Sequence, residues 1–229
     1  MDLTLEQIQK YSIAFAKLSG DGHIAVGSDT RTTSRMISEM VESTLLSEGC
    51  EVHVLGTTTT PSIHHYVSKM NLNGGLMITS SHNPPDWNGL KFITSRGLGL
   101  MGESFDNLEM FVRVSPTSSF QIGRIRKVTH QSYMHDLLSH IQDSSKKNLK
   151  VALDCGGGSA SFFAPKLLTA LGCKLYSINT SPGLFLRQID PVSDPLDDLR
   201  DLVIREKCDL GFAFDCDGDR LVVVDDHGV

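Results

Sequence analysis

Reactive side chains concentrate in two short stretches of this 229-residue chain, ITSSHNPPDWNGLKF at 78–92 and LGFAFDCDGDRLVVVDD at 210–226. In the first, an apolar run at 75–78 predicts a buried strand that ends in Thr79, Ser80, Ser81 and His82. Residues at the C-terminal ends of strands are where open parallel sheets gather ligands. Pro84 and Pro85 stiffen the chain just beyond His82, since each restricts the residue before it to extended geometry. A stiff corner suits a serine that must be presented in one orientation. A hydrolase-type serine–histidine pair does not fit. Ser81 and His82 are neighbours on a segment expected to be extended, so their side chains point to opposite sides.

The second stretch places Asp215, Asp217 and Asp219 at spacing two directly after an apolar strand, with Arg220 next. In a turning loop this spacing lets three hard oxygen donors converge, and Gly218 supplies the needed freedom. Three such carboxylates repel one another unless a cation neutralises them, and Mg²⁺ is the natural guest. An EF-hand loop also begins DxDxD, but it requires Gly at the position of Arg220, Glu at that of Asp226, and flanking helices. A haloacid-dehalogenase-type phosphatase has a DxDG turn after a strand, yet it requires Thr or Ser where Asp219 stands. The serine corner and the carboxylate loop make sense together if the serine carries a phosphate, with Arg220 and Lys91 stabilising charge during its transfer.

The elements that must position these loops alternate in the α/β manner. A helix is predicted over 3–18, a strand at HIAVGSD, and a capped amphipathic helix over 34–48 with Met36, Met40, Val41, Leu45 and Leu46 as its apolar positions. Further strands are CEVHVLG, GGLMITS and GLKFI, with a helix opening at TPSIHHYVSKM near Pro61. Residues 94–148 are less apolar, with a loop at SPTSSFQIGR, a helix at THQSYMHDLLSHIQ and a linker at 143–148. A second α/β series comes next: LKVALD, the glycine turn CGGG, a helix at SASFFAPKLLTALG, CKLYSI, a helix at 195–206, LGFAF and LVVVDD. The fold class is therefore α/β: two consecutive α/β/α sandwiches with mixed, mostly parallel sheets, spanning 1–143 and 148–229, the second incomplete.

Composition narrows the partners. Net charge is −6 with 21% charged residues. No Lys/Arg run exists to neutralise phosphate backbones, which speaks against nucleic-acid binding. No apolar stretch approaches the roughly 18 residues of a membrane span, and the N-terminus has no signal-peptide core. Cys50, Cys155, Cys173, Cys208 and Cys216 are odd in number and scattered, as expected of reduced thiols in a cytoplasmic protein.

Taken together, the motifs resemble those of the α-D-phosphohexomutases, the phosphoglucomutase/phosphomannomutase/phosphoglucosamine mutase superfamily. TSSHNPPDWNGLKF is similar to that family's phosphoserine loop, DCDGDR to its metal loop, and VGSDTRTTS to a further segment usually written G-R-D-T-R-x-S. DCGGGSASFFAPKLLTALGC is similar to the opening of its second domain. The resemblance implies that Ser81 carries the transferred phosphoryl group and that Asp215, Asp217 and Asp219 hold one Mg²⁺ together with it. Lys91 then matches the lysine assisting proton transfer, while His82 and Arg220 line the transfer site. The implied enzyme is an intramolecular phosphotransferase, an isomerase of hexose or hexosamine phosphates working through a hexose 1,6-bisphosphate. Its usual N-terminal G-T-[SA]-G-[IL]-R-G segment has no match before Leu3, Ser28 stands where Arg is usual, and the sugar-reading loop of domain III and the phosphate-binding loop of domain IV would lie beyond Val229. The expectation is thus a mutase portion, weak by itself, or a split-enzyme half completed by a separate chain carrying domains III and IV.

Overall fold

Ile24, Ala25 and Val26 lie in a strand with no exposed face after its first residue, so both sides of it must be covered. The structure, a computed structural model, describes residues 3–114, 121–128, 132–141 and 148–229. Its first unit comprises Met1–Ser28, Thr33–Ser80 and Asn88–His130; the second comprises Asp29–Thr32, Ser81–Trp87 and Gln131–Val229. No helix among the described residues is long and apolar enough to cross a membrane.

The first unit holds β1 (His23–Ser28), β2 (Glu51–Thr57), β3 (Gly74–Ile78), β4 (Leu90–Thr94) and β5 (Arg124–Lys127), in spatial order β4-β3-β1-β2-β5. All pairings are parallel except β3 with β4. Alternation along the strands sends Ile24, Val26, Val52, Leu76 and Ile78 to one core and Ala25 and Met77 to the other. The first core is closed by α1 (Leu5–Leu18), α2 (Ser34–Ser47) and α4 (Glu103–Val114), the second by α3 (Thr60–Lys69). A capping box starts α1: Gln7 N–H donates to Thr4 Oγ1 at 3.2 Å, and Thr4 N–H to Gln7 Oε1 at 3.0 Å.

Helix α2 departs from expectation in two ways. Thr33 already has helical backbone angles and makes no side-chain cap; its hydroxyl, like that of Ser34, accepts a hydrogen bond from Asn88 Nδ2. The buried stripe is Ile37, Val41 and Leu45, whereas Met36 is exposed. The 3.6-residue period holds, but its face is set by Ile37. Helix α4 and strand β5 have no counterpart among the elements expected from the sequence. All of β5 is exposed and it has no apolar run to mark it. Helix α4 is amphipathic, with Leu108, Phe111 and Val112 turned to the first core, but that stripe goes unmarked in a stretch of low overall apolarity.

The second unit contains α5 (Ser132–His140), β6 (Lys150–Asp154), α6 (Ala164–Ala170), β7 (Lys174–Ile178), α7 (Asp197–Glu206), β8 (Leu210–Phe214) and β9 (Leu221–Val224). Its sheet runs β7-β6-β8-β9, parallel except β8 with β9. Helix α7 covers Ala152, Ala213 and Val224, while Leu153 packs with Ala160 and Ala164 on the other face. The single helix expected over 159–172 is broken into a 3₁₀ turn at Ser159–Phe162 and then α6. Pro165 sits in the first turn of α6, where its missing N–H goes unneeded, and so starts a new helix there. The linker expected at 143–148 lies outside the described residues apart from Asn148. Two α/β units with mixed, mostly parallel sheets are what the strand order and helix placement establish.

Candidate functional site

The apolar strand β8 fixes Phe214, and the chain leaves its C-terminal end into a loop built around Asp215. Asp215 Oδ1 accepts the N–H groups of Asp219 at 3.1 Å and Arg220 at 3.2 Å, which curls the loop back on itself. Gly218 adopts φ +69°, a left-handed conformation that a side chain would strain. The curl brings donor oxygens of Asp215, Asp217 and Asp219 within 4.8 Å of one another, with Asp215 and Asp217 buried. Burial, then the charges of Asp217 and Asp219, push the Asp215 carboxyl up to about 7. A trio of hard carboxylate oxygens this close together is a donor set that fits a divalent cation such as Mg²⁺.

The serine corner belongs to the same unit. Ser81 Oγ donates to Asp215 Oδ2 at 2.9 Å and lies 3.5 Å from Asp219 Oδ1. Ser81 has φ +50°, so the chain turns there and does not continue extended into His82. The conformation is unfavourable for a non-glycine residue and persists because surrounding contacts over-determine it. His82 Nδ1 is buried with no hydrogen-bond partner among the described residues. Arg220 Nη1 contacts Asp190 Oδ1 at 3.2 Å. Lys91 lies in the first unit on β4, in register with Met77 of β3. Ser81, Asp215, Asp217 and Asp219 are thus the predicted residues brought into one cluster.

Against this geometry, comparison with known proteins is unambiguous. Residues 1–113 match the model of phosphoglucomutase/phosphomannomutase, alpha/beta/alpha domain I, and residues 131–228 match that of domain II. The chain belongs to the phosphoglucomutase/phosphomannomutase family. It is 34% identical over 231 residues to a Pyrococcus furiosus protein named "Probable phosphoglucosamine mutase", covering 99% of this chain and 51% of that one. It is likewise 34% identical over 239 residues to the phosphoglucosamine/phosphogalactosamine mutase of Sulfurisphaera tokodaii, covering 99% and 52%. A solved phosphoglucomutase/phosphomannomutase family protein of Burkholderia thailandensis superposes with TM-score 0.87 at 26% identity, over 99% of this chain and 52% of that one. The chain therefore spans about half the length of these relatives.

In this family member, Arg31 holds the serine corner far more firmly than its sequence context suggests. Its Nη2 donates to Ser81 O at 2.6 Å and Asn83 O at 2.9 Å, and its Nη1 to Trp87 O at 3.1 Å and to Pro84 O. Asp29 orients the guanidinium, accepting Arg31 Nε at 2.9 Å and Arg31 N–H at 3.0 Å. Both residues are buried, so this is a charge-compensated clamp on the loop backbone. A second ion pair, Arg187 Nε to Asp154 Oδ2 at 2.7 Å, also carries a donor to Phe214 O at 2.7 Å, fixing the residue before Asp215. Neither clamp is readable from spacing, because each joins residues far apart in the chain. Cys216 is no nucleophile: burial foremost, then Asp29, drives its thiol well above the ordinary range.

Proposed function

We propose that this chain carries the phosphoryl-transfer portion of a phosphohexomutase that interconverts the 1- and 6-phosphates of a hexosamine or hexose. The observation that carries the reading is the Ser81 hydroxyl 2.9 Å from Asp215 Oδ2, beside three carboxylates within 4.8 Å of one another. Ser81 serves as the phosphate carrier, giving its phosphoryl group to one sugar hydroxyl and regaining it from the other. The intermediate is a hexose 1,6-bisphosphate that reorients between the two half-reactions.

Asp215, Asp217 and Asp219 would hold Mg²⁺, which when bound neutralises the charge of the carboxylates and the phosphoryl oxygens. The remaining work falls to the chain's own residues. Arg31 keeps the Ser81 backbone in one conformation, so that the hydroxyl or its phosphate is presented without a search. His82, with a buried unpartnered Nδ1, is available to donate to a phosphoryl oxygen. Arg220 supplies a positive charge next to the carboxylate loop, and Lys91 assists proton transfer to and from the sugar hydroxyl. The names of the Pyrococcus and Sulfurisphaera relatives favour hexosamine phosphates as the substrate class.

Because the chain spans about half of those relatives, a second reading is a catalytic half completed by a separate chain bearing domains III and IV. One experiment tests the central assignment. The purified chain is incubated with glucosamine or glucose 1,6-bisphosphate and Mg²⁺, then measured by intact mass and phosphopeptide mapping. Phosphate on Ser81, absent from Ser81→Ala, is the expected result; phosphate on no residue, or on another residue, refutes it. Adding a chain with domains III and IV separates the two readings, since only the split-enzyme form gains turnover.

A further inference from the structure

Three side chains of the first unit form a second donor cluster, and nothing in phosphoryl transfer uses it. His23 opens β1 and registers beside Glu51, which opens β2; His53 lies two residues further along β2, on the same face. His23 Nδ1 is 3.3 Å from His53 Nε2, His53 Nε2 is 3.3 Å from Glu51 Oε1, and His23 Nδ1 is 3.6 Å from Glu51 Oε1. The three atoms make a nearly equilateral triangle.

Hydrogen bonds can pair two edges of this triangle but not all three at once. Each corner either carries a proton or offers a lone pair. With three corners and two states, at least one edge always sets proton against proton or lone pair against lone pair. A cation facing all three lone pairs removes the conflict. The dimensions also fit: donors of a tetrahedral Zn²⁺ site with bonds of about 2.0–2.1 Å lie about 3.4 Å apart. Two imidazoles and one carboxylate form a donor set that zinc takes with a fourth position left open.

The surroundings are built to match. His53 is buried, and its Nδ1 lies 3.0 Å from Tyr66 Oη of α3, which fixes the ring so that Nε2 points into the triangle. Such an outer partner on the second ring nitrogen is the usual companion of a metal-bound histidine. His23 is half-exposed at the side-chain level, leaving an entry path from solvent. Arg124 and Arg126 of β5 register across from Glu51 and His53, and both are exposed.

We propose that His23, Glu51 and His53 form a zinc site with one open coordination position, held in shape by Tyr66. It joins the N-terminal ends of β1 and β2, whereas Ser80 lies past the C-terminal end of β3 in the same parallel sheet. Its effect is therefore expected on the stability of the first unit, whether or not Ser81 carries phosphate.

The test uses the full chain, stripped with chelator, in an Asp219→Asn/His227→Ala background that disables the two other carboxylate-containing clusters among the described residues. Zn²⁺ is titrated by calorimetry and Co²⁺ by visible absorption. The expected result is one metal per chain, an intense tetrahedral Co²⁺ band, and a raised unfolding temperature with Zn²⁺. Affinity should fall more than about tenfold in His23→Ala and Glu51→Gln, and about 10- to 100-fold in Tyr66→Phe. His23 and Glu51 are not buried, so those two variants are expected to fold, with circular dichroism as the check. Absence of Zn²⁺ binding, or binding undiminished in both His23→Ala and Glu51→Gln, overturns the proposal.

Discussion

Ser81 Oγ donates a 2.9 Å hydrogen bond to Asp215 Oδ2 across 134 positions of sequence. The bond joins a residue in a left-handed backbone conformation to a carboxylate whose proton affinity is raised. Each end is locally unfavourable, and each is held by a clamp of buried charge, Arg31 at one and Arg187 at the other. Strain and raised proton affinity meeting at one point are what the proposed role of Ser81 and Asp215 draws on.

Replacing Ser81 separates its chemical role from its backbone role. Ser81→Ala keeps the side-chain penalty at φ +50° and loses the bond to Asp215, whereas Ser81→Gly removes the penalty. Ser81→Gly is therefore expected to be more stable than Ser81→Ala by about 1 kcal/mol. Chemical denaturation measures the difference, and neither variant should take up phosphate from a hexose bisphosphate. Equal stability of the two would show that the turn carries no side-chain strain.

The metal-free chain should lose stability as pH rises. The Asp215 carboxyl binds its proton more tightly when folded, at about 7, than its ordinary value of 3.8 allows. The contribution is fully present below about pH 4 and is lost as pH climbs through about 7, amounting to a few kcal/mol at most. Thermal unfolding in chelator between pH 5 and 8 should show this decline, and Mg²⁺ should flatten it by favouring the ionised carboxylates. A profile that Mg²⁺ leaves unchanged would count against a cation at the triad.

Arg31→Lys preserves charge and discards the fork. One ammonium cannot reach the carbonyls of Ser81, Asn83, Pro84 and Trp87 while also pairing with Asp29. The expected cost is about 2–4 kcal/mol of stability. Hydrogen exchange across residues 81–87 should rise more than exchange in β6 or β8. Protection lost evenly across the second unit would instead point to general destabilisation.

Gly158 lets the turn after β6 pass the carboxylate loop. A Cβ at this position would lie 2.5 Å from Cys216 O and 2.8 Å from Asp215 O, both of them backbone atoms. Gly158→Ala is expected to cost about 1–3 kcal/mol and to weaken Mg²⁺ binding by displacing Asp215. Calorimetric titration of Mg²⁺ checks this, and undiminished affinity would show that the loop gives way without moving its ligands.

Much of this protein is legible before any fold is known. The apolar runs at Ile24–Val26, Leu76–Ile78 and Leu210–Phe214 read as strands because each is short, apolar and bounded by turn residues. Asp215, Asp217 and Asp219 stand out because carboxylates at spacing two on one turning loop can converge on a common point. The serine corner is marked by its prolines and its place at a strand end. Local chemistry writes itself into adjacent positions, and adjacency is what a sequence displays.

What only the tertiary structure decided are relations between distant positions. Arg31 in SDTR is expected from the family resemblance to point toward the site, with Asp29 orienting that turn, but its local sequence does not say that it gathers four carbonyls from 81–87. Arg187 gives no hint that it anchors Asp154 and Phe214. His23, Glu51 and His53 are ordinary strand residues until β1 and β2 pair in one register. The face of α2 that is buried, and the turn at Ser81 where extended chain was expected, were likewise settled by packing. Hydrogen-bond geometry and close contact depend on where strands place their neighbours, and sheet topology, not local pattern, controls that.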